Sequence, residues 1–496
     1  MLFNSFSFLV FFPIVLAVYF IIPKKIRYIW LLAASYYFYM CWNPKYVLLL
    51  LLSTGVTYLG SLLLEKCEDR IGWKKTVVAI SLLVNFGILF LFKYLNFAVD
   101  SLQKILVKTG ITLAEPGFNL LLPVGISFYI FQAVGYLVDV YRGKLKPEKN
   151  FLRYALFVSF FPQLVAGPIE RSTNLLLQMK KLDKIKLWDG DRVRDGAIVM
   201  LYGYILKMII ADRAAILVNT VYNVNYYSQY KGITVWVAAI LFSIQIYCDF
   251  AGYTYIAIGA SKVMGFQLMN NFNTPYLATS IKDFWDRWHI SLTSWFRDYL
   301  YFPLGGSRKG VVRKYINIMV VFTLSGLWHG ASWHYVAWGV LHGVMRVAGE
   351  LTQKVRARLW TFLKVRTEVS SFKLCQILST FVLVTIAWVL FRAESITQAG
   401  DVIVSMFTHW NPWVLLDGSL LGLGLDDKDW IVFGTAMIFM AVIECFHYNK
   451  VPLVSTFAKQ NVLLQMLVFY LGIFAVVLFG VYGPIYDATQ FIYFQF

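Results

Sequence analysis

The sequence predicts an all-α protein that crosses a membrane many times. Of its 496 residues, 59% are hydrophobic and only 15% are charged, whereas soluble proteins carry about a quarter charged residues. The mean hydropathy is +0.63. Several uncharged runs are long enough to approach or cross a hydrocarbon core about 30 Å thick as helices. These runs are Met1–Pro23, Tyr46–Leu64, Pro116–Val138, Tyr315–Met345 and Gln460–Tyr486.

The first run is expected to be a retained membrane helix rather than a cleaved signal peptide. No basic residue precedes its apolar part, and no small-residue cleavage motif follows it. Lys24, Lys25 and Arg27 come after the run. Because basic residues favour the cytoplasmic side of a membrane, this order predicts an extracytoplasmic N-terminus.

The segment Tyr154–Ile169 is predicted to be re-entrant or broken. It is 16 residues long, contains Pro162, Gly167 and Pro168, and lies between two basic stretches that both favour the cytoplasm. A single crossing would place one flank on the wrong side. Irregular backbone persists at membrane depth only where protein or a water-filled cavity surrounds it, so we expect an enclosed cavity.

The rest of the chain is predicted to cross the membrane several more times, with the acidic loop Asp417–Asp429 and the C-terminal tail outside. We expect about 11–13 membrane segments in one domain, residues 1–496, with a catalytic core of about 116–348 and an aromatic tail at 487–496. No internal period of 20–50 residues is visible.

Composition also limits the kind of partner and of metal site. The five cysteines are scattered without a CxxC pair, so a disulfide framework or a cysteine-based metal site is not expected. The net charge of +18 is attributed to basic cytoplasmic loops next to membrane lipid rather than to nucleic-acid binding.

Polar residues concentrate between residues 249 and 342, and ionisable groups inside membrane segments are functional candidates because their burial is costly. Asp249 lies in an otherwise apolar stretch, and Asp283 can pair with Arg287 at helical spacing. For the charges of 270–310 an interfacial helix with local ion pairs is the simpler interpretation. His289 follows Trp288 and precedes a hydroxyl-rich turn, which suits either an interfacial anchor or a catalytic group.

His329 is the stronger catalytic candidate, because it lies in the middle of a 31-residue run without Asp, Glu, Lys or Arg. Gly326 and Gly330 bracket it and would permit a break or a close helix approach. A neutral imidazole in an apolar cavity is a competent general base for a hydroxyl. His334 and His342 are expected to pack or to form hydrogen bonds. No HExxH spacing is present, so no metal is expected.

Two motifs at this spacing identify a family resemblance. The segments "DFWDRWHISLTSWFRDYLYFPLGGSRKG" and "LSGLWHGASW" closely resemble the membrane-bound O-acyltransferases, and among them the alginate O-acetyltransferase type. The likeness extends to "PVGISFYIFQAVGYLVDVYRG", to "FFPQLVAGPIERS" and to the end of the chain. It therefore spans nearly the whole sequence.

The resemblance implies a function and a site. His329 matches the family's catalytic histidine and His289 its second active-site position; Asp249, Asp286, Trp288 and Trp328 are expected to line the cavity. The implied fold is a ring of tilted helices around a central funnel with re-entrant segments. The implied donor is cytoplasmic acetyl-CoA. The acceptor would be an extracellular or cell-wall polysaccharide, served by an extracytoplasmic hydrolase-like acetyltransferase at a bacterial inner membrane.

One departure from the family pattern keeps other functions open. Relatives that acetylate polysaccharides usually end the motif "DFSGYTD" with an acid, where this sequence has Tyr255 in "DFAGYTY". The form without the acid is closer to the D-alanyl transferases of teichoic acid. A polymer-export channel or a scaffold without chemistry of its own is the non-enzymatic alternative.

The tail "FIYFQF" also allows two interpretations. Its aromatic residues suit an interfacial belt. In the teichoic acid system a small partner protein ends in a similar motif, which implies that Tyr493 accepts the acyl group on its phenol oxygen, with His329 as base. A phenyl ester is activated, because phenol, with a pKa of about 10, leaves more readily than a sugar hydroxyl.

Overall fold

The computed structural model describes residues 1–67, 70–107, 122–165, 167–186 and 189–482, and every regular element in these ranges is helical. The all-α prediction is therefore confirmed. Tyr493 and the rest of the tail lie outside the described residues.

Chain contacts divide the protein into two compact units, which are described separately. Residues 1–200 and 256–269 form unit 1, and residues 201–255 and 270–496 form unit 2. Unit 1 contains α1 (Phe6–Ile21), α2 (Arg27–Met40), α3 (Val47–Lys66), α4 (Ile71–Leu89), α5 (Leu95–Leu106), α6 (Ile126–Tyr141), α7 (Phe151–Ser159), α8 (Phe161–Leu164), α9 (Leu177–Lys180), most of α10 (Gly190–Tyr204) and the last part of α12 (Ile233–Met264).

Unit 2 carries the two candidate histidines and most of the long C-terminal helices. It contains α11 (Asp212–Val221), the first part of α12, α13 (Ile281–Arg287), α14 (Ile290–Phe296), α15 (Val311–His329), α16 (Trp333–Leu351), α17 (Gln353–Phe362), α18 (Ser370–Arg392), α19 (Ile396–Thr408), α20 (Asp427–Tyr448), α21 (Leu453–Ala458) and α22 (Val462–Phe479).

The multi-pass prediction is confirmed by helix length and hydropathy. Among the described residues, seven helical segments are long and apolar enough to cross a membrane, and α1 and α6 are apolar but shorter. The seven segments are Pro44–Lys66, Ile71–Leu106, Ile233–Met264, Val311–His329, Ser370–Arg392, Asp427–Tyr448 and Val462–Phe479. The total of 11–13 includes shorter segments and stays a prediction, as do the orientation of the chain and the ring.

The predicted break near Pro162 is present. The segment forms α7 and the single turn α8, separated at Phe160, and the described residues from Tyr154 to Ile169 are buried. Side chains satisfy the backbone groups that the break leaves open. The Phe161 N–H donates to Ser35 Oγ at 3.1 Å, and the Phe157 carbonyl accepts from Gln132 Nε2 at 2.6 Å and Gln163 Nε2 at 2.8 Å. Protein therefore surrounds this irregular backbone, as its persistence requires.

Candidate active site

The long uncharged run around His329 folds as a helical hairpin. Helix α15 ends at His329, Gly330 is extended with φ −166°, and α16 begins at Trp333. Two glycines let the helices meet closely. A Cβ on Gly326 would lie 2.2 Å from the Tyr335 carbonyl oxygen, and one on Gly339 would lie 2.3 Å from the Phe322 carbonyl oxygen. The break expected beside His329 is present at Gly330, and the close helix approach is present at Gly326.

His329 lies buried among aromatic side chains at the end of α15, with only 3% of its surface exposed. The centroid of its imidazole lies 5.0 Å from that of Trp328, 5.1 Å from Trp338 and 5.3 Å from Phe391. All three contacts are edge-to-face, an arrangement that aromatic rings favour. These neighbours exclude bulk water from most of the ring without supplying a formal charge.

His289 is held in an unusual backbone conformation between α13 and α14. Its φ of 44° and ψ of 52° are left-handed, a region that residues with a Cβ rarely occupy and that is frequent at functional sites. Asn271 holds the turn through its backbone and its side chain. The Ile290 N–H donates to the Asn271 carbonyl at 2.9 Å, and the Ser291 N–H and Oγ–H donate to Asn271 Oδ1 at 3.2 and 2.8 Å.

The same oxygen of Asn271 fixes the tautomer of His289. His289 Nδ1 lies 3.1 Å from Asn271 Oδ1. Because the Ser291 N–H can only donate, the amide atom it contacts must be the oxygen, and Nδ1 must then carry the proton of the neutral ring. Burial lowers the pKa of His289 to about 3, so the ring is neutral near pH 7. Its Nε2 therefore holds the lone pair.

The structure brings His289, His329 and Trp328 together. The two imidazole centroids are 6.4 Å apart, and the Trp328 ring lies 6.0 Å from that of His289. Phe250 closes another side, with its ring 4.7 Å from His289. Two imidazoles at this separation can act on one bound substrate, one removing a proton from a hydroxyl and the other accepting a hydrogen bond from a different donor group.

The other predicted cavity-lining residues occupy different surroundings. Trp288 is buried in an aromatic cluster in which its ring lies 5.1 Å from each of Phe272 and Trp388. Asp249 Oδ1 lies 2.6 Å from Lys207 Nζ in a buried ion pair. Asp286 is exposed. The described contacts thus place Trp328 beside the two histidines and give Trp288, Asp249 and Asp286 other neighbours.

The remaining membrane-region histidines have the packing and hydrogen-bonding roles expected of them. His334 Nδ1 lies 3.0 Å from the Leu390 carbonyl oxygen. His342 is fully buried, and its Nδ1 accepts from Trp285 Nε1 at 3.2 Å. The predicted pair of Asp283 and Arg287 is also present at 2.7 Å.

Sequence reasoning missed several members of the site. Asn271, Phe250, Trp338 and Phe391 contact the two histidines, but neither spacing nor composition singles them out. Only Asn271 could have been suspected from the sequence, because it lies in the polar segment "NNFN" just before the motif that contains His289. Within the described parts of the chain, no group of three or more His, Cys, Asp or Glu is arranged to hold a metal ion.

Replacing Gly339 with alanine is expected to disrupt the hairpin that carries His329. The added methyl would lie 2.3 Å from the Phe322 carbonyl oxygen, so α15 and α16 must separate, which costs about 1–3 kcal/mol of stability as overpacking does. We expect a lower melting temperature in detergent and at least a tenfold loss of activity. Gly349→Ala in the same helix is the matched control, because nothing lies within 4 Å of its Cβ position; an equal loss there would contradict the expectation.

Comparisons with known proteins place this arrangement in a family. The family model described as MBOAT, membrane-bound O-acyltransferase family, matches residues 145–391. A probable alginate O-acetylase of Pseudomonas syringae pv. tomato is 37% identical over 85% of this chain and 79% of its own length. A peptidoglycan O-acetyltransferase of Helicobacter pylori is 33% identical over 76% of this chain and 73% of its own.

A teichoic acid D-alanyltransferase of Bacillus subtilis matches less of the chain. It is 31% identical over 48% of this chain and 62% of its own length. All three relatives are named for acyl transfer. The region that the family model matches, residues 145–391, contains both histidines. The chain therefore belongs to the membrane-bound O-acyltransferase family and is a multi-pass membrane acyltransferase.

Proposed function

We propose that this chain passes an acetyl group from cytoplasmic acetyl-CoA across the membrane for O-acetylation of an extracellular or cell-wall polysaccharide, as on alginate. The observation that carries the proposal is the pair of buried, aromatic-lined imidazoles of His289 and His329, 6.4 Å apart. The names of the alginate and peptidoglycan relatives, which cover most of the chain, support acetyl as the transferred group. They also support a glycan as the final acceptor.

In the proposed reaction His329 is the general base. It removes the proton of an acceptor hydroxyl while that oxygen attacks the thioester carbonyl of acetyl-CoA. The C–S bond then breaks, and the departing thiolate of CoA takes the proton back from His329. His289, whose Nδ1–H is held by Asn271, offers Nε2 as an acceptor to a different donor group of the bound substrate and so helps to position it. Positioned acid–base groups of this kind contribute about 10²–10⁴-fold to a rate.

The proposed first acceptor is the phenol oxygen of Tyr493, which would hold the acetyl group as an ester. The support is the resemblance of the tail to an acyl-carrying motif and the activated character of a phenyl ester. An extracytoplasmic hydrolase-like acetyltransferase would then move the acetyl group to the polysaccharide. This route needs a bacterial inner membrane with the N-terminus and the tail outside. Neither CoA nor polymer then has to cross the bilayer.

A D-alanyl transfer to teichoic acid is the second candidate. Tyr255 in place of the usual acid favours it, as does the teichoic acid D-alanyltransferase relative. That relative covers only 48% of the chain, against 85% for the alginate relative, so acetyl transfer is preferred. A channel or scaffold without chemistry does not fit membership of an acyltransferase family.

The test uses inside-out vesicles that contain the full chain and acetyl-CoA labelled in its acetyl group, followed by peptide mass spectrometry. We expect label on Tyr493 in the wild type and none in Tyr493→Phe. The matched control is Tyr482→Phe. It removes a different phenol, which is exposed and donates to the Val476 carbonyl. Label on a polymer or partner without Tyr493 would refute the relay alone. D-alanylation from a loaded carrier, with no acetyl transfer, would refute the acetyl proposal.

A further inference from the structure

Helix α17 lies between two long helices, and none of its residues is buried by the described protein. It follows α16 after Thr352, and only seven residues separate its end from the candidate membrane span Ser370–Arg392. Every residue of 351–370 is exposed except Trp360, which is partly exposed. A soluble helix would normally bury one face, whereas the described residues leave every face of α17 uncovered.

The exposed residues of α17 form a narrow apolar stripe. Val355, Leu359 and Phe362 recur at the spacing of one helix face, and they are 66%, 46% and 81% exposed. Leu351, the last residue of α16, extends this stripe by one turn and is 57% exposed. Such a stripe is stable in an apolar environment and unfavourable in water.

Cationic side chains flank the apolar stripe on both sides. At 100° per residue, Lys354 and Arg358 lie along one edge and Arg356 along the other. The stretch 353–367 contains five basic residues and no acidic one. Arg356 Nη2 donates to the Gly349 carbonyl at 2.8 Å, and the ion pairs found among the described residues do not involve these five cations.

Contacts at the end of α17 hold it close to the membrane span. The Trp360 ring lies 5.7 Å from that of Phe372, in the first turn of α18. Lys364 adopts a left-handed φ of 50°, and the Val365 N–H donates to the Trp360 carbonyl at 2.9 Å, which reverses the chain after the helix. The helix therefore stays at the end of α18 and does not extend away on a long linker.

We propose that α17 lies in the membrane–water interface and binds anionic phospholipid headgroups through Lys354, Arg356 and Arg358. Its apolar stripe would enter the acyl-chain boundary while the flanking cations remain at headgroup level. A helix with aliphatic and aromatic residues on one face and Lys or Arg beside them is suited to this position. Each cation near an anionic membrane surface adds attraction that falls off within a Debye length.

Hydrogen–deuterium exchange of the full chain in lipid nanodiscs tests this assignment. We expect the amides of 353–363 to exchange about tenfold more slowly in discs containing phosphatidylglycerol than in pure phosphatidylcholine, because the three cations add to the attraction. High salt should shrink this difference. The triple variant Lys354→Gln, Arg356→Gln, Arg358→Gln should abolish it, and Lys354→Arg, Arg356→Lys, Arg358→Lys should keep it.

A matched control makes the same change of charge elsewhere in unit 2. Arg308→Gln, Lys309→Gln and Arg313→Gln remove three exposed cations that do not flank the α17 stripe, and this variant should keep the lipid-dependent protection of 353–363. Equal exchange in both lipids would overturn the proposal. Protection that follows protein concentration rather than lipid composition would also overturn it, because a second copy would then be the occupant.

Discussion

Replacing His329 with glutamine is expected to reduce acyl transfer by about 10³-fold or more, because the reaction then lacks its proposed general base. Glutamine is similar in size and polar, but its amide cannot take a proton near neutral pH. The loss should appear in kcat, since the imidazole acts on the proton that moves during reaction. Release of CoA from acetyl-CoA by the purified protein in vesicles measures this directly.

Two controls separate lost chemistry from lost structure. His409→Gln removes an exposed histidine of unit 2 and should keep wild-type activity. The melting temperature of His329→Gln should stay close to that of the wild type, because glutamine is similar in size and can still pack against the rings of Trp338 and Phe391. Transfer by a folded His329→Gln variant within a fewfold of wild type would exclude His329 as the base.

Replacing Asn271 with alanine is expected to reduce activity by about 10–100-fold and to lower stability. Its Oδ1 accepts from His289 Nδ1 and from both Ser291 donors, so the variant removes three buried hydrogen bonds, each of which contributes about 0.5–1.5 kcal/mol to stability. His289 would no longer be held as the Nδ1–H tautomer. Nitrogen-15 spectra of labelled histidine should show this change directly, independently of the assay.

Replacing Asn271 with aspartate is expected to make the activity fall at acidic pH. Asn271→Asp keeps an oxygen acceptor but adds a negative charge, which raises the pKa of His289 from about 3. The neutral ring, required as acceptor at Nε2, is then lost as the pH falls through the raised pKa. Activity of this variant should therefore fall at an acidic pH at which the wild type is still active.

Ser291→Ala is the matched control for Asn271. It removes one hydroxyl donor from the same oxygen and leaves the contact between His289 and Asn271 in place. It should keep the Nδ1–H tautomer and most of the activity. An Asn271→Ala protein that retains both the tautomer and the wild-type rate would show that Asn271 does not position His289.

The sequence by itself determined that this protein is built for a lipid bilayer, and it predicted which histidine acts as the base. Long uncharged runs can be buried only as helices in lipid, so the all-α multi-pass class follows from hydropathy. The break around Pro162 could be predicted because the basic stretches before and after the segment both favour the cytoplasmic side of the membrane. His329 stood out because an imidazole in a run without any charge is costly without a function.

Only the tertiary structure decided how the site is assembled, because contacts distant in sequence leave no periodic signal. Phe250 lies 39 residues before His289 (289 − 250), and Phe391 lies 62 residues after His329 (391 − 329), yet each packs on that histidine. The tautomer of His289 depends on a single oxygen of Asn271. Asp249 and Asp286 matched the pattern of cavity residues equally well. Packing placed the first in a buried pair with Lys207 and left the second exposed.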